Sequence, residues 1–121
     1  MLSTRKSPDQ ATPGMDSEPG LLAEVVRRLA AGIHPLRIYL FGSRAGQNAE
    51  ADSDYDLLTV VPDSDVAGYR RSQQARRLLR GLNASFDIIV LTSEEWSRQL
   101  RSGVSLANAV AREGKLIHER T

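Results

Sequence analysis

The chain contains no cysteine in its 121 residues. This excludes a disulfide framework and any thiolate metal site, and it fits the cytoplasm, the location we expect. No window approaches the ~18 consecutive apolar residues of a membrane-spanning helix. Arg5 and Lys6 near the start are not followed by an apolar stretch, so no secretory signal is expected. Charge of one sign is lacking too: the formal net charge is +1, which gives no global drive toward nucleic acid or an anionic membrane. The two histidines, His34 and His118, are far apart and lack metal-ligand spacing, so both read as structural or exposed. What remains is ordinary for a soluble globular protein, with 40% apolar and 26% charged residues and length for one modest core.

Residues 1–19 are rich in Ser, Thr, Pro and Gly and carry too little apolar surface to offset the entropy of ordering. We expect a disordered tail there, ordering only on a partner or a neighbouring copy, and one folded domain over residues 20–121. Along that domain, helical and strand patterns alternate. Leu21, Leu22, Val25, Val26 and Leu29 form a helical stripe with Gly32 as its stop. Leu36 to Phe41 reads as a strand with Leu36, Ile38 and Leu40 on one face, and Asp54 to Val61 as another. Asp65 is a plausible cap for a helix running to about Leu82, with Val66, Leu78, Leu79 and Leu82 inward. A strand over Phe86–Leu91 follows. Thr92-Ser-Glu-Glu95 has the form of a capping box, with Trp96 behind it as a packing anchor. Leu106, Ala107, Ala109 and Val110 mark a further helix stopped by Gly114, and Lys115 to His118 a last short strand. The expected fold is α/β of the α+β kind: a small mixed sheet flanked by helices.

The most informative spacing lies between the first two strands. Gly42-Ser43 closes one, ten residues intervene, and Asp54-Tyr55-Asp56 opens the other. Gly42 allows the turn and a close ligand approach. The amides of Ser43, Arg44 and Ala45 would start a helix, a natural phosphate site, to which the Ser43 hydroxyl and the Arg44 guanidinium add donors. Asp54 and Asp56 share a strand face, with Cα atoms roughly 6.5–7 Å apart at ~3.3 Å per residue. At that spacing two carboxylates can share a hard cation such as Mg²⁺, with phosphate and water completing its shell. Glu50, Asp52, Asp54, Asp56, Asp63 and Asp65 lie between Arg44 and Arg70 with no base among them, a repulsion that a cation or solvent must relieve. Glu50, Asp52, Asp63 and Asp65 read as solvated loop. The two strand aspartates need another reason, since Asp is disfavoured in strands. Ser43 has no base–acid pair in the pattern, so a serine hydrolase is excluded.

Gly42-Ser43, ten residues, Asp54-x-Asp56 resembles the signature of the small nucleotidyltransferases of the DNA polymerase beta-like superfamily. It is most similar to the minimal, single-domain members often encoded beside a HEPN-domain protein in toxin–antitoxin pairs. The resemblance spans roughly Leu21 to Glu119. It implies a third carboxylate on a later strand, and Asp87-Ile-Ile-Val-Leu-Thr-Ser-Glu-Glu95 supplies it in Asp87. It also implies that Asp54, Asp56 and Asp87 hold Mg²⁺ and carry catalysis, with Asp87 as base toward the attacking hydroxyl. Gly42, Ser43 and Arg44 would hold the phosphates of ATP. Where many members carry a second Arg and a Gly after Ser-Arg-Ala, this chain has Gly46-Gln47, which leaves one cationic contact to the triphosphate without its residue. The function implied is AMP transfer from ATP to a hydroxyl of a HEPN-domain toxin. The alternatives are a non-catalytic binding antitoxin with a vestigial site and an aminoglycoside-like adenylyltransferase, disfavoured because the chain has little room for a separate acceptor domain. Self-association is left open.

Arginine outnumbers lysine 14 to 2. Arg70, Arg76, Arg77 and Arg80 fall within about a third of a turn of each other at 3.6 residues per turn. Such a stripe is a solvated helix face or a docking surface for an acidic protein or RNA. Only Tyr69 supplies a ring nearby, so base stacking there has little support.

Overall fold

The protein is described by a computed structural model that covers residues 18–42 and 54–120. The elements in chain order are α1 (Glu18–Ile33), β1 (Arg37–Phe41), β2 (Tyr55–Val61), α2 (Gly68–Leu78), β3 (Phe86–Thr92), α3 (Ser93–Leu100), α4 (Leu106–Glu113) and β4 (Lys115–Glu119). The strands form one mixed sheet in the order β3-β2-β1-β4. β1 runs antiparallel to both β2 and β4, whereas β2 and β3 are parallel and joined through α2. A parallel pair needs such a crossover, and it brings the start of β3 level with the start of β2.

β2 is the centre of the molecule. Its side chains alternate between two cores, which is why five of its seven residues are apolar and buried although one face of an exposed sheet would be polar. Ile38, Leu40, Tyr55, Leu57 and Val61 meet Val25 and Leu29 of α1, Ala75 of α2, and Leu79 beyond it. On the other face Leu58 and Val60 meet Trp96 of α3 and Ala107 and Val110 of α4. Trp96 is a packing anchor, 3% exposed and stacked on Tyr39 with ring centroids 5.2 Å apart. Burying a large apolar side chain is worth about 1.5–3 kcal/mol, so this pair of cores supplies the main drive for the fold.

Several boundaries differ from the sequence reading. α1 begins at Glu18, inside the stretch assigned to the tail; the rest of that tail lies outside the described residues. α1 also runs through Gly32. The left-handed residue that ends it is His34, at φ 50°, and Pro35 follows. Gly32 serves packing instead: a Cβ there would stand 2.4 Å from Cδ1 of Leu78, where α2 crosses α1. α2 starts at Gly68, three residues after Asp65, and its N-cap is Ala67 without a side-chain hydrogen bond. The chain takes a local turn first, with the Val66 amide donating to Ser64 Oγ. Asp65 and Val66 are therefore outside the helix, and its buried residues are Arg71 and Ala75. Leu79 and Leu82 do reach the core, from the turns after the helix. Leu36 precedes β1 and packs on the Trp96 side, opposite Ile38 and Leu40. The Thr92 capping box is formed: Thr92 Oγ1 accepts from the Glu95 amide at 3.1 Å and Glu95 accepts from the Thr92 amide at 2.9 Å.

Candidate functional site

The starts of β2 and β3 and the end of β1 meet at one end of the sheet. Phe41 is the partner of Asp56 across β1 and β2, which places Gly42 next to it. Across the parallel pair, Asp56 stands in register with Asp87. Asp54 lies exposed just before β2. Side-chain alternation puts Asp56 on the face of Leu58 and Val60, and Asp87 on that of Leu91. The helices of that face cover the sheet further along, so both carboxylates stand beyond the apolar cover.

Gly42 is chosen by this geometry twice over. Its φ is +73°, a left-handed backbone that side chains rarely adopt, and a Cβ would stand 2.2 Å from Oδ2 of Asp56. The backbone of the β1 turn thus lies directly against the Asp56 carboxylate. Ser43 and Arg44, together with Gly46-Gln47, Glu50 and Asp52, lie outside the described residues.

The electrostatics of the three aspartates are unbalanced. Partial burial pushes the Asp56 carboxyl above the usual carboxylate range, and the charges of Asp87 and Asp54 push it further. Among the described residues Asp87 has one cationic neighbour, Arg76 of α2, at 3.7 Å, with both side chains more than half exposed. Sequence reasoning placed Arg76 on a helix stripe but missed this pairing. Its signal is topological: α2 runs back along a β2–α2–β3 crossover, so its last turn must arrive where β3 begins.

An oxygen-only donor set with unmet negative charge suits a hard divalent cation. Among the described residues no three His, Cys, Asp or Glu side chains close on one point. An ion here would therefore draw on Asp56 with Asp54 or Asp87, and take phosphate and water for the rest.

The opposite end of the sheet holds a different arrangement. Arg71, only 7% exposed, donates from one guanidinium nitrogen to both Glu95 oxygens at 2.9 and 3.1 Å. Its Nε is buried without a partner among the described residues. That hydrogen bond and those of the capping box hold the Glu95 carboxyl below the usual range. Asp63, Asp65, Arg71, Glu94 and Arg98 line an open cleft of about 480 Å³ there. The sequence offered no sign that Arg71, alone in an arginine-rich helix, would be buried. His34 is exposed and His118 half-buried, and neither joins a ligand cluster. Among the described residues no helix is long and apolar enough to cross a membrane.

With this geometry in view, the comparisons are informative. Residues 25–121 match the family model described as Polymerase beta, Nucleotidyltransferase. No curated protein sequence matches the chain. Among solved structures, a protein from Sulfolobus solfataricus described as a candidate nucleotidyltransferase shares 26% identity at a TM-score of 0.61, over 94% of this chain and 91% of that one. A chain of a toxin–antitoxin complex with AMP-PNP shares 23% identity at 0.54, over 82% and 73%. A chain of an MntA–HepT toxin–antitoxin complex shares 24% at 0.50, over 83% and 73%. The last two likenesses show a shared fold.

Proposed function

Because the chain belongs to the polymerase beta nucleotidyltransferase family, we propose that it transfers AMP from ATP to a hydroxyl of a partner protein, as the antitoxin of a HEPN-domain toxin. The observation that carries this reading is the register of Asp56 with Asp87, beside Asp54 and against the Gly42 backbone. The shared fold with toxin–antitoxin complexes, one of them with AMP-PNP, supports the partner class.

In this reading the turn at Gly42, with Ser43 and Arg44, holds the β- and γ-phosphates. Asp56, with Asp54 or Asp87, would hold each Mg²⁺, so that the three carboxylates together serve the ions. The cation would neutralise charge on the α-phosphate and on the departing pyrophosphate. Asp87, more exposed than Asp56, takes the proton of the incoming hydroxyl. The hydroxyl oxygen bonds the α-phosphorus, the bond from that phosphorus to the β-phosphate bridging oxygen breaks, and pyrophosphate leaves. Before an ion binds, the 3.7 Å pairing with Arg76 holds the Asp87 charge in place.

Gly46-Gln47, where a second cationic contact to the triphosphate would be expected, favours a second reading, in which the protein neutralises its partner by contact alone. Intact-mass spectrometry of the co-expressed neighbouring protein, incubated with this chain, ATP and Mg²⁺, decides between them. Gain of whole AMP units, lost with Asp56→Asn, is the expected result. A stable complex of unchanged mass would establish neutralisation by contact.

A further inference from the structure

We propose that the arginine-lined groove at the C-terminal end of α2 is the docking surface for the acceptor, and that it takes an acidic segment of that protein. This inference rests on the transfer reading of the aspartate cluster and names its substrate class more closely.

The groove has a volume of about 520 Å³, and among the described residues Gln73, Arg76, Arg77 and Arg80 line it. Arg76 and Arg77 occupy the last turn of α2, and Arg80 the turn that follows. Basic residues there complement the helix dipole, but one or two suffice for that, at a few tenths of a kcal/mol each. The dipole does not account for three around one hollow. Arg77 and Arg80 have no acidic partner among the described residues, and Arg76 has only Asp87. Arg27, Arg98 and Arg112 are paired locally with Glu24, Glu94 and Glu113, while exposed Arg70, Arg101 and Arg120 stand apart from one another in sequence and form no cluster of three. The groove thus holds uncompensated positive charge in a chain whose net charge is only +1.

Its position matters as much as its charge. Across the sheet order β3-β2-β1, Gly42 stands at the end of β1, Asp56 opens β2, and Asp87 opens the edge strand β3. The arginines lie on the side of α2 turned from its buried Arg71 and Ala75, and Arg76 reaches the Asp87 carboxyl at 3.7 Å. An acceptor held by them would therefore lie beside Asp87, at the far end of the row from Gly42. Arg76 and Arg80 are four residues apart, about 6 Å along a helix. Carboxylates within two or three residues of the acceptor hydroxyl would reach them, and Arg pairs carboxylates through two parallel hydrogen bonds. An acidic segment would otherwise be repelled by Asp54 and Asp56; the arginines offset that repulsion on the side where the segment lies. Nucleic acid fits less well, because among the described residues no ring lines the groove for a base to stack on.

The test is binding without ATP or Mg²⁺, so it reads docking and not transfer. The probe is a random copolymer of glutamate and tyrosine, against a lysine–tyrosine copolymer and oligouridylate, by fluorescence anisotropy. The acidic copolymer should bind most tightly, and weaken as salt rises from about 50 to about 300 mM. Arg77→Glu with Arg80→Glu should weaken it at least tenfold, and the milder Arg77→Gln with Arg80→Gln by less, each with unchanged circular dichroism. Asp56→Asn should bind the copolymer no more weakly than the wild type does, because a repelling carboxylate is lost, so transfer can fail while docking stands. Failure of the acidic copolymer to bind, equal binding by the glutamate variants, or tighter binding of oligouridylate would each overturn the proposal and leave the nucleotide site untouched.

Discussion

The two ends of the sheet use the same chemical group to opposite effect. At the start of β2, the Asp56 carboxyl is pushed up by burial and by two neighbouring carboxylates. Past the end of β3, the Glu95 carboxyl is held down by Arg71 and by the capping box of α3. One end carries negative charge that the described residues leave largely unmet, and the other carries a Glu95 charge that Arg71 answers directly. Unmet charge costs stability and is kept where something else supplies the counter-charge. Met charge joins two elements, here α2 and α3, and needs nothing further.

This contrast can be tested from both ends. The largest expected effect is on transfer: Asp56→Asn should lower it by about a thousandfold or more, as loss of a central electrostatic group does, measured by the mass assay described above. Stability should behave the other way round. Glu95→Ala should destabilise by about 2–3 kcal/mol in urea titration. That is below the roughly 3–5 kcal/mol for breaking a fully buried pair, because Glu95 is 34% exposed and partly screened while Arg71 is 8% exposed. A loss below about half a kcal/mol would sink the idea that this end is the structural one. Gly42→Ala should cost about 1–3 kcal/mol, through its positive φ and the contact with Asp56, and should also abolish transfer.

The smallest effect is the pH dependence, and its sign separates the ends. Asp56 has a folded pKa above its ordinary 3.8. Its contribution is fully present below 3.8 and is lost as pH rises through the raised value. Glu95 has a folded pKa below its ordinary 4.5. Its contribution is present above 4.5 and is lost as pH falls through the lowered value. Asp56→Asn should therefore raise the melting temperature slightly at neutral pH and not at pH 3. Solvent screening keeps the gain to about half a kcal/mol. Mg²⁺ should raise the melting temperature of the wild type more than that of Asp56→Asn. Equal shifts would mean that the ion stabilises the protein elsewhere.

Much of the fold was legible where a local pattern carries it. The Thr92–Glu95 capping box, the strand alternation around Ile38 and Leu40, and the Phe86 strand are set by neighbours in sequence. Gly32 misled because a glycine near a helix end is a common stop signal, whereas its real constraint is Leu78 of another helix. Asp65 misled because a capping residue competes with local turns, and here Ser64 made the turn first. At the site, the paired aspartates and Gly42 were visible as a spacing, and Asp87 through the resemblance. The pairing of Arg76 with Asp87 and the burial of Arg71 were not visible, since both depend on where α2 lies.

The sequence by itself marked the candidate residues: a turn glycine, aspartates at strand starts, and a family spacing that ties them together. These follow from backbone periodicity and local sterics, which act over a few residues. Only the tertiary structure decided which charges are answered. The parallel crossover sets Asp87 beside Asp56 and brings the arginines of α2 to the same end, while Arg71 faces Glu95 at the other. Coulomb interactions depend on distance in space, and that distance exists only once the sheet has formed.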